Sequence, residues 1–270
     1  MQPRVDAWQG KRAVAVANDR GSSLNRTIWL VVLGIFAFAL MALVTLPASV
    51  AVGPLGKRGI IVSGVGGTIW NGSAQVVQTG QVNVGAVQWK LHALGLLGAK
   101  AIADVKITRS DGSIETTVTA QPSGQLLFEN LFASLSLDSL PPSVSFGWRG
   151  TVRTRLTTLE IVDNWPHRAV GTVEVTDLIG PPRQPAPMGG FKLAFPEQAP
   201  PGVVAGALTD LSGPLQVAGT LELKAADRSY LINGLVSPRA DASPQLVNSL
   251  QILGIPDAQG RRPVSLSGTM

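Results

Sequence analysis

No cysteine occurs in the 270 residues, tyrosine occurs once, and histidine twice. Without thiols the chain has no disulfide staples and no thiolate zinc ligands. It also has no cysteine nucleophile, and a fold without disulfides must rest on an apolar core. His92 and His167 stand far apart in sequence and outside any H-E-x-x-H spacing, which leaves a metal site without a motif. Each reads as a structural or surface residue. Charge is scarce too, at 14% of residues, with a mean hydropathy of +0.25. Disordered chains combine high charge with low hydrophobicity, so this composition argues against disorder. No G-x-S-x-G elbow is present, and Gly64, Gly66 and Gly67 are not followed by the Lys-Ser/Thr of a phosphate loop. Asp104 and Glu115, on adjacent expected strands, come nearest to an acid–base pair, but exposed strand faces carry such residues routinely. The expectation is a protein that is not an enzyme and holds no cofactor or metal.

What the chain has in plenty is turn-formers and one long apolar run. Gly (30) and Pro (19) speak for many turns and against a helical bundle. Between Arg26 and Lys57 no residue is charged, and Ile28 to Leu46 is almost wholly apolar. That length lets a helix cross a hydrocarbon layer of ~30 Å, and Pro47 marks its end. Before it stand Arg4, Lys11, Arg12, Arg20 and Arg26 against Asp6 and Asp19. The basic excess places this tail on the cytoplasmic side and the rest of the chain on the far side. A cleaved signal peptide is the competing reading, since Ala48-Ser49-Val50-Ala51 offers small residues. The apolar run exceeds a signal core of about 7–15 residues, which favours an uncleaved anchor. The expected organisation is a cytoplasmic tail over 1–26, a transmembrane helix over 27–47 and a β-rich domain over 48–270.

Removing the tail's charges from totals of 22 basic and 17 acidic leaves 17 and 15. That near balance is no footprint for nucleic acid. Arg149, Arg153 and Arg155 form the only dense basic group, and on a strand they share one face. Such a face meets acidic headgroups, a partner or simply solvent.

Period-two alternation dominates after residue 60. Ala101, Ala103, Val105 and Ile107 line one side of a strand; Asp111-Gly112 turns it; Ile114, Thr116, Val118 and Ala120 return as a hairpin. Val152, Thr154 and Leu156 alternate until the phase slips before Leu159 and Ile161, as a bulge would cause. Leu215 to Lys224, Tyr230 to Val236 and Val264 to Gly268 supply further amphipathic strands. One apolar and one wet face mark antiparallel sheets. Residues 181–187, rich in proline, form an exposed connection within one sheet system, and a second turn-rich stretch runs from Pro196 to Gly202. Ser243-Pro244 followed by Leu246, Val247, Leu250 and Leu253 predicts a short capped helix stopped at Gly254. A helical turn is expected around Leu91 to Leu97. The expected fold class is mainly β: an N-terminal single transmembrane helix, then a curved antiparallel β-sheet, groove- or sandwich-like, with one short C-terminal helix.

Two segments stand out. Gly67-Thr68-Ile69-Trp70-Asn71-Gly72 reads as the first strand of the exported sheet, with Trp70 packing near Trp89. Near the end come Leu250-Gln251-Ile252-Leu253-Gly254, Asp257 and Gly260-Arg261. With Val62-Ser63 through Ala74, Trp89-Lys90-Leu91, Leu96 and Leu97, these segments resemble the protein N family of the bacterial type II secretion system. The resemblance covers nearly all of the chain beyond the tail; the long tail and the 181–187 connection depart from the pattern. It implies an inner-membrane protein with a periplasmic domain that serves the export of folded proteins across the outer membrane. Its implied partners are other components of that system and the inner membrane, and it carries over no catalytic residue. Gly67, Trp70, Gly72, Trp89, Leu253 and Gly254 are the candidate structural or interaction residues. A second reading makes the apolar faces a trough for lipid, as in anchored periplasmic β-proteins resembling the AsmA-like group.

Overall fold

The computed structural model describes residues 20–53, 56, 59–80, 82–140, 145–182 and 185–269, with side chains from residue 29 onward except residue 51. The expected cytoplasmic tail therefore lies largely outside the described residues. Two units separate, Met1–Leu46 and Pro47–Met270. In the first, α1 runs Arg20–Val44, and its large apolar side chains from Trp29 to Val44 are exposed. Among the described residues, no helix is long and apolar enough to cross a membrane.

The second unit opens with α2 (Ala48–Val52) and continues as strands. They are β1 (Ile60–Ser63), β2 (Gly66–Gly67), β3 (Asn71–Thr79), β4 (Val82–His92), β5 (Ala101–Arg109), β6 (Gly112–Ala120) and β7 (Leu126–Ser136). After these come β8 (Arg149–Val162), β9 (Trp165–Ile179), β10 (Pro187–Phe195), β11 (Val203–Ser212), β12 (Leu215–Lys224), β13 (Ser229–Pro238) and β14 (Arg262–Thr269). Helix α3 (Ala93–Leu97) joins β4 to β5, and α4 (Pro244–Leu250) lies between β13 and β14.

All fourteen strands belong to one open antiparallel sheet. From β3 onward each strand pairs with its successor, while β1 and β2 both pair with β3. With no second sheet among the described residues, the sandwich alternative is set aside. The expected hairpin is β5–β6, closed by Arg109 opposite Gly112. The phase slip before Leu159 is a register shift between Leu156 and Thr158. The proline-rich 181–187 stretch links two neighbouring strands, β9 and β10, so the sheet runs through it unbroken.

Directly paired residues share a face, and register carries one apolar face across the whole sheet. Trp89 lies opposite Val105, which lies opposite Thr116. Phe128 pairs with Leu159 and Leu131 with Leu156; Phe191 pairs with Val175. At the far side Leu221, Ile232 and Leu266 line up across β12, β13 and β14. The opposite face carries Lys106 against Glu115 and Arg153 against Glu174. Arg153 and Arg155 do share that face, while a register shift at Gly150 separates them from Arg149.

The sheet is bent. Arg228, in the β12–β13 turn, donates to the carbonyl of Asp163, in the β8–β9 turn, at 3.3 Å. Strands about 4.8 Å apart would hold those turns roughly 19 Å apart in a flat sheet, farther than an arginine reaches.

Only part of the apolar face is closed over. Leu246 and Leu250 of α4 pack on Leu215 and Val236, with Met188, Phe191 and Val264 around them. The helix forms where the sequence places it. Ser243 Oγ accepts from the Leu246 amide at 3.3 Å, Pro244 occupies the first turn, and a single 3-10 turn at Gln251–Leu253 ends at Gly254. Few other apolar side chains are fully buried; most of the face stays half-exposed.

Candidate interaction site

The first candidate segment is a turn, which corrects the expectation of a strand over Gly67–Gly72. Gly67 pairs with Gly72, and the Thr68 amide donates to the Asn71 carbonyl at 2.9 Å. The Asn71 amide in turn donates to Thr68 Oγ1 at 3.2 Å. Local hydrogen bonding closes the chain into a tight loop and overrides the strand preference of Ile69 and Trp70. The reversal needs the left-handed φ of +81° at Gly67, where a side chain is strained. The first strand of the sheet is β1 instead.

Trp89 secures this turn from the neighbouring strand. Its indole Nε1 donates to the Ile69 carbonyl at 3.0 Å, and Gly72 sits directly opposite it. A Cβ at Gly72 would overlap the indole and meet the Thr68 carbonyl at 2.7 Å. The carbonyl of Trp70 accepts from the Leu91 amide at 2.7 Å. Gly67, Trp70, Gly72 and Trp89 thus form one corner, built on backbone carbonyls and a missing side chain. Pro47, the first residue of the unit, forms an antiparallel bridge with Thr68 in the same corner, and Ala48 beside it is buried.

Leu253 and Gly254 are not part of that corner. They lie between β13 and β14, many strands away in the sheet order. Leu253 packs on the Leu215–Val236 cluster, while Ile252 and Ile255 beside it are 87% and 89% exposed. The loop that presents them is held by Asp257. Its carboxylate accepts from the amides of Gln259 and Arg261 at 2.9 and 2.8 Å and from Arg261 Nε at 2.9 Å. Burial works to raise the Asp257 pKa, but these donors outweigh it and hold it below the ordinary value. Arg262 Nη1 also donates to the Gly254 carbonyl. The Asp-x-x-Gly spacing of Asp257 and Gly260 is the sequence signal for this role, which the sequence alone did not assign to Asp257.

A second carboxylate, absent from the sequence-derived candidates, gains a structural role in the folded chain. Asp210 pairs with Phe191, on the apolar side of the sheet, and accepts from the Val217 amide at 2.8 Å and from Arg239 Nη2. Its signal was a charge in phase with Leu208 and Val204.

On the polar face a depression of about 430 Å³ is lined by Lys90, Asp104, Lys106, Glu115 and Thr117 among others. Asp104 bonds His92 at 2.9 Å and accepts from Thr117 at 2.9 Å, and Glu115 pairs with Lys106 at 2.7 Å. The hydrogen bond from His92, then that from Thr117, hold the Asp104 carboxyl below its ordinary range. Asp104 and Glu115 are each tied to a basic side chain and do not bond one another. Among the described residues no three metal-ligating side chains come together. An apolar cavity of about 260 Å³ lies between α4 and the sheet, lined by Leu208, Val217, Ile232, Leu250, Leu253 and Val264.

Residues 58–265, from β1 into β14, match the family model for type II secretion system (T2SS), protein N. The chain belongs to that family. It is 25% identical over 255 residues to type II secretion system protein N of Aeromonas hydrophila, covering 91% of this chain and 99% of the relative. The corresponding Vibrio cholerae protein (serotype O1, El Tor Inaba N16961) is 24% identical over 255 residues, covering 87% and 96%. No solved structure matches the chain. The protein N family match spans both candidate segments, so the Trp89-tied corner and the Asp257-held loop are features of the matched domain.

Proposed function

We propose that this protein N family member is a non-catalytic accessory component of the type II secretion system. It is anchored in the inner membrane through the uncharged segment from Ile28 to Leu46, with its β-sheet in the periplasm. It contributes to the export of folded proteins by binding another component of the machine. Family membership carries this reading. The sheet supplies a surface suited to it: β14 pairs with β13 alone among the described strands. Its outer edge offers backbone N–H and C=O groups for strand addition. Ile252 and Ile255 precede that strand in the chain and are exposed, next to the loop that Asp257 holds. The topology is supported by the basic residues before the apolar run.

The test is photo-crosslinking in cells, with a crosslinking amino acid at Ile255 or Ser265 and a control at Arg153 on the polar face. Adducts with other secretion components from the first two positions and not from the third are expected. An absence of adducts at both β14-side positions in a secreting cell refutes the docking edge.

A second reading, lipid binding or transfer, is favoured by one observation. The half-exposed apolar face leads into the cavity under α4, whose described lining side chains are apolar. Mass spectrometry of lipids extracted from the purified protein separates the two. Stoichiometric phospholipid after delipidating washes supports the trough, and its absence together with crosslinks supports the adaptor.

A further inference from the structure

Helix α3 carries Leu94, Leu96 and Leu97 in five residues, none buried, at 82%, 45% and 86% exposure. Its inner side is fixed: a Cβ at Gly95 would lie 3.1 Å from the Ile102 side chain and 2.9 Å from the Lys100 carbonyl. The amides of Gly98 and Lys100 both donate to the Gly95 carbonyl at 3.0 Å, and Ala99 donates to Leu96 at 3.1 Å. The leucines are therefore held outward on a closed turn, with exposed Lys100 beside them. No charged residue interrupts Ala93 to Ala99.

Where this tip stands in the fold decides what covers it. Pro47, one peptide bond beyond the apolar segment, is bridged to Thr68. Ile69 and Trp70 are bonded to Trp89 and Leu91, and α3 starts two residues after Leu91. The chain thus enters the sheet unit at the end of the strands where β3 begins, β4 ends and α3 projects. Ile252 and Ile255 precede β14 and stand at the opposite strand ends, since Arg262 pairs with Val236 whereas Thr269 pairs with Ser229.

We infer that α3 is a membrane-interface foot: Leu94 and Leu97 insert among the lipids of the bilayer that holds the anchor, and Lys100 meets their phosphates. Short apolar projections with a basic flank bind in this way at the headgroup–acyl boundary. The inference rests on the anchored reading proposed above. It adds a second attachment that orients the sheet, with the β14 docking edge's exposed isoleucines at the strand ends away from the lipid.

The absence of cysteine makes a direct test simple. Single-cysteine variants of the full chain, Leu94→Cys, Leu97→Cys, Ile252→Cys and Phe36→Cys, are labelled with an environment-sensitive fluorophore. They are reconstituted into vesicles of phosphatidylcholine and phosphatidylglycerol containing shallow or deep spin-labelled lipid. All four side chains are exposed, so the variants keep the fold, which circular dichroism verifies. Loss of emission with shallow spin label at positions 94 and 97, with none at 252, is expected. Labels at 94 and 97 that lose no emission while 36 is quenched by deep spin label overturn the foot and leave the anchor standing. An unquenched label at 36 overturns both. Labels at 94 and 97 shielded from aqueous iodide without lipid quenching show a second copy covering the leucines, which also overturns the inference.

Discussion

Trp89 donates its indole N–H to the carbonyl of Ile69, twenty residues earlier, at 3.0 Å. The bond ties a strand to the tip of the turn that Gly67 and Gly72 close, and the ring lies against the bare Cα of Gly72. Trp89→Phe keeps most of the ring and removes the donor. A half-buried carbonyl left unpaired costs about 1 kcal/mol. Denaturant unfolding of the full chain in detergent should show a lower midpoint with an unchanged slope. An unaltered midpoint would remove the tie from the account of this corner.

Trp165 gives the opposite expectation. It is 8% exposed, and its Nε1 has no hydrogen-bond partner among the described residues. A buried donor without an acceptor costs about 1–3 kcal/mol. Trp165→Phe removes that penalty but gives up part of the ring's packing, so the net change should lie near zero and well apart from that of Trp89→Phe. The same denaturation series reads both. A loss at Trp165 as large as that at Trp89 would mean that the indole N–H is satisfied in solution.

The strands were legible because their signal is local. Ile114, Thr116 and Val118 alternate with Glu115 and Thr117, and one buried face needs no more than that. Even the bulge near Thr157 showed as a slip in phase. The α4 cap was readable for the same reason, since Ser243 and Pro244 act within one turn. The Gly67–Gly72 turn was misread because Thr68, Ile69 and Trp70 favour strands individually. The deciding interactions are the Thr68–Asn71 hydrogen bonds and a contact from Trp89, which propensity does not contain. Asp210 and Asp257 were passed over because a lone carboxylate gains its role from donors that only the folded chain assembles. Curvature was expected from no particular residue, and the contact that reveals it, Arg228 to Asp163, spans 65 positions.

Two of the three candidate glycines, Gly72 and Gly254, should respond to alanine for different reasons. At Gly72 the added Cβ collides with a ring and a backbone carbonyl, so Gly72→Ala should destabilise by about 1–3 kcal/mol through overpacking. Gly254 has nothing within 4 Å of a Cβ, but its φ of +96° and ψ of −170° lie in a region nearly reserved for glycine, so Gly254→Ala costs backbone strain alone, about 1–3 kcal/mol. Combining Gly72→Ala with Trp89→Ala should recover part of the Gly72 loss, because the indole clash is gone. Strict additivity in that cycle would mean that the Thr68 carbonyl alone sets the restriction.

Asp210 sets an acid limit on the β10–β13 region. Its side chain is 12% exposed and sits among apolar neighbours. Burial pushes its pKa up, yet the Val217 amide and the Arg239 guanidinium together outweigh burial and bring it below the ordinary 3.8. An unfolded chain holds that proton more tightly, with a pKa of about 3.9, so the folded state binds fewer protons in the window between the two values. The stabilisation is present above the unfolded value and is lost as the pH falls through the folded one. Asp210→Asn should therefore destabilise by about 1–3 kcal/mol at pH 7, where a charge-assisted pair is broken. The gap between variant and parent should narrow as the pH drops below 4. Urea melts at pH 7 and pH 3 measure both gaps. A gap that stays constant across that range would assign the Asp210 effect to shape rather than charge.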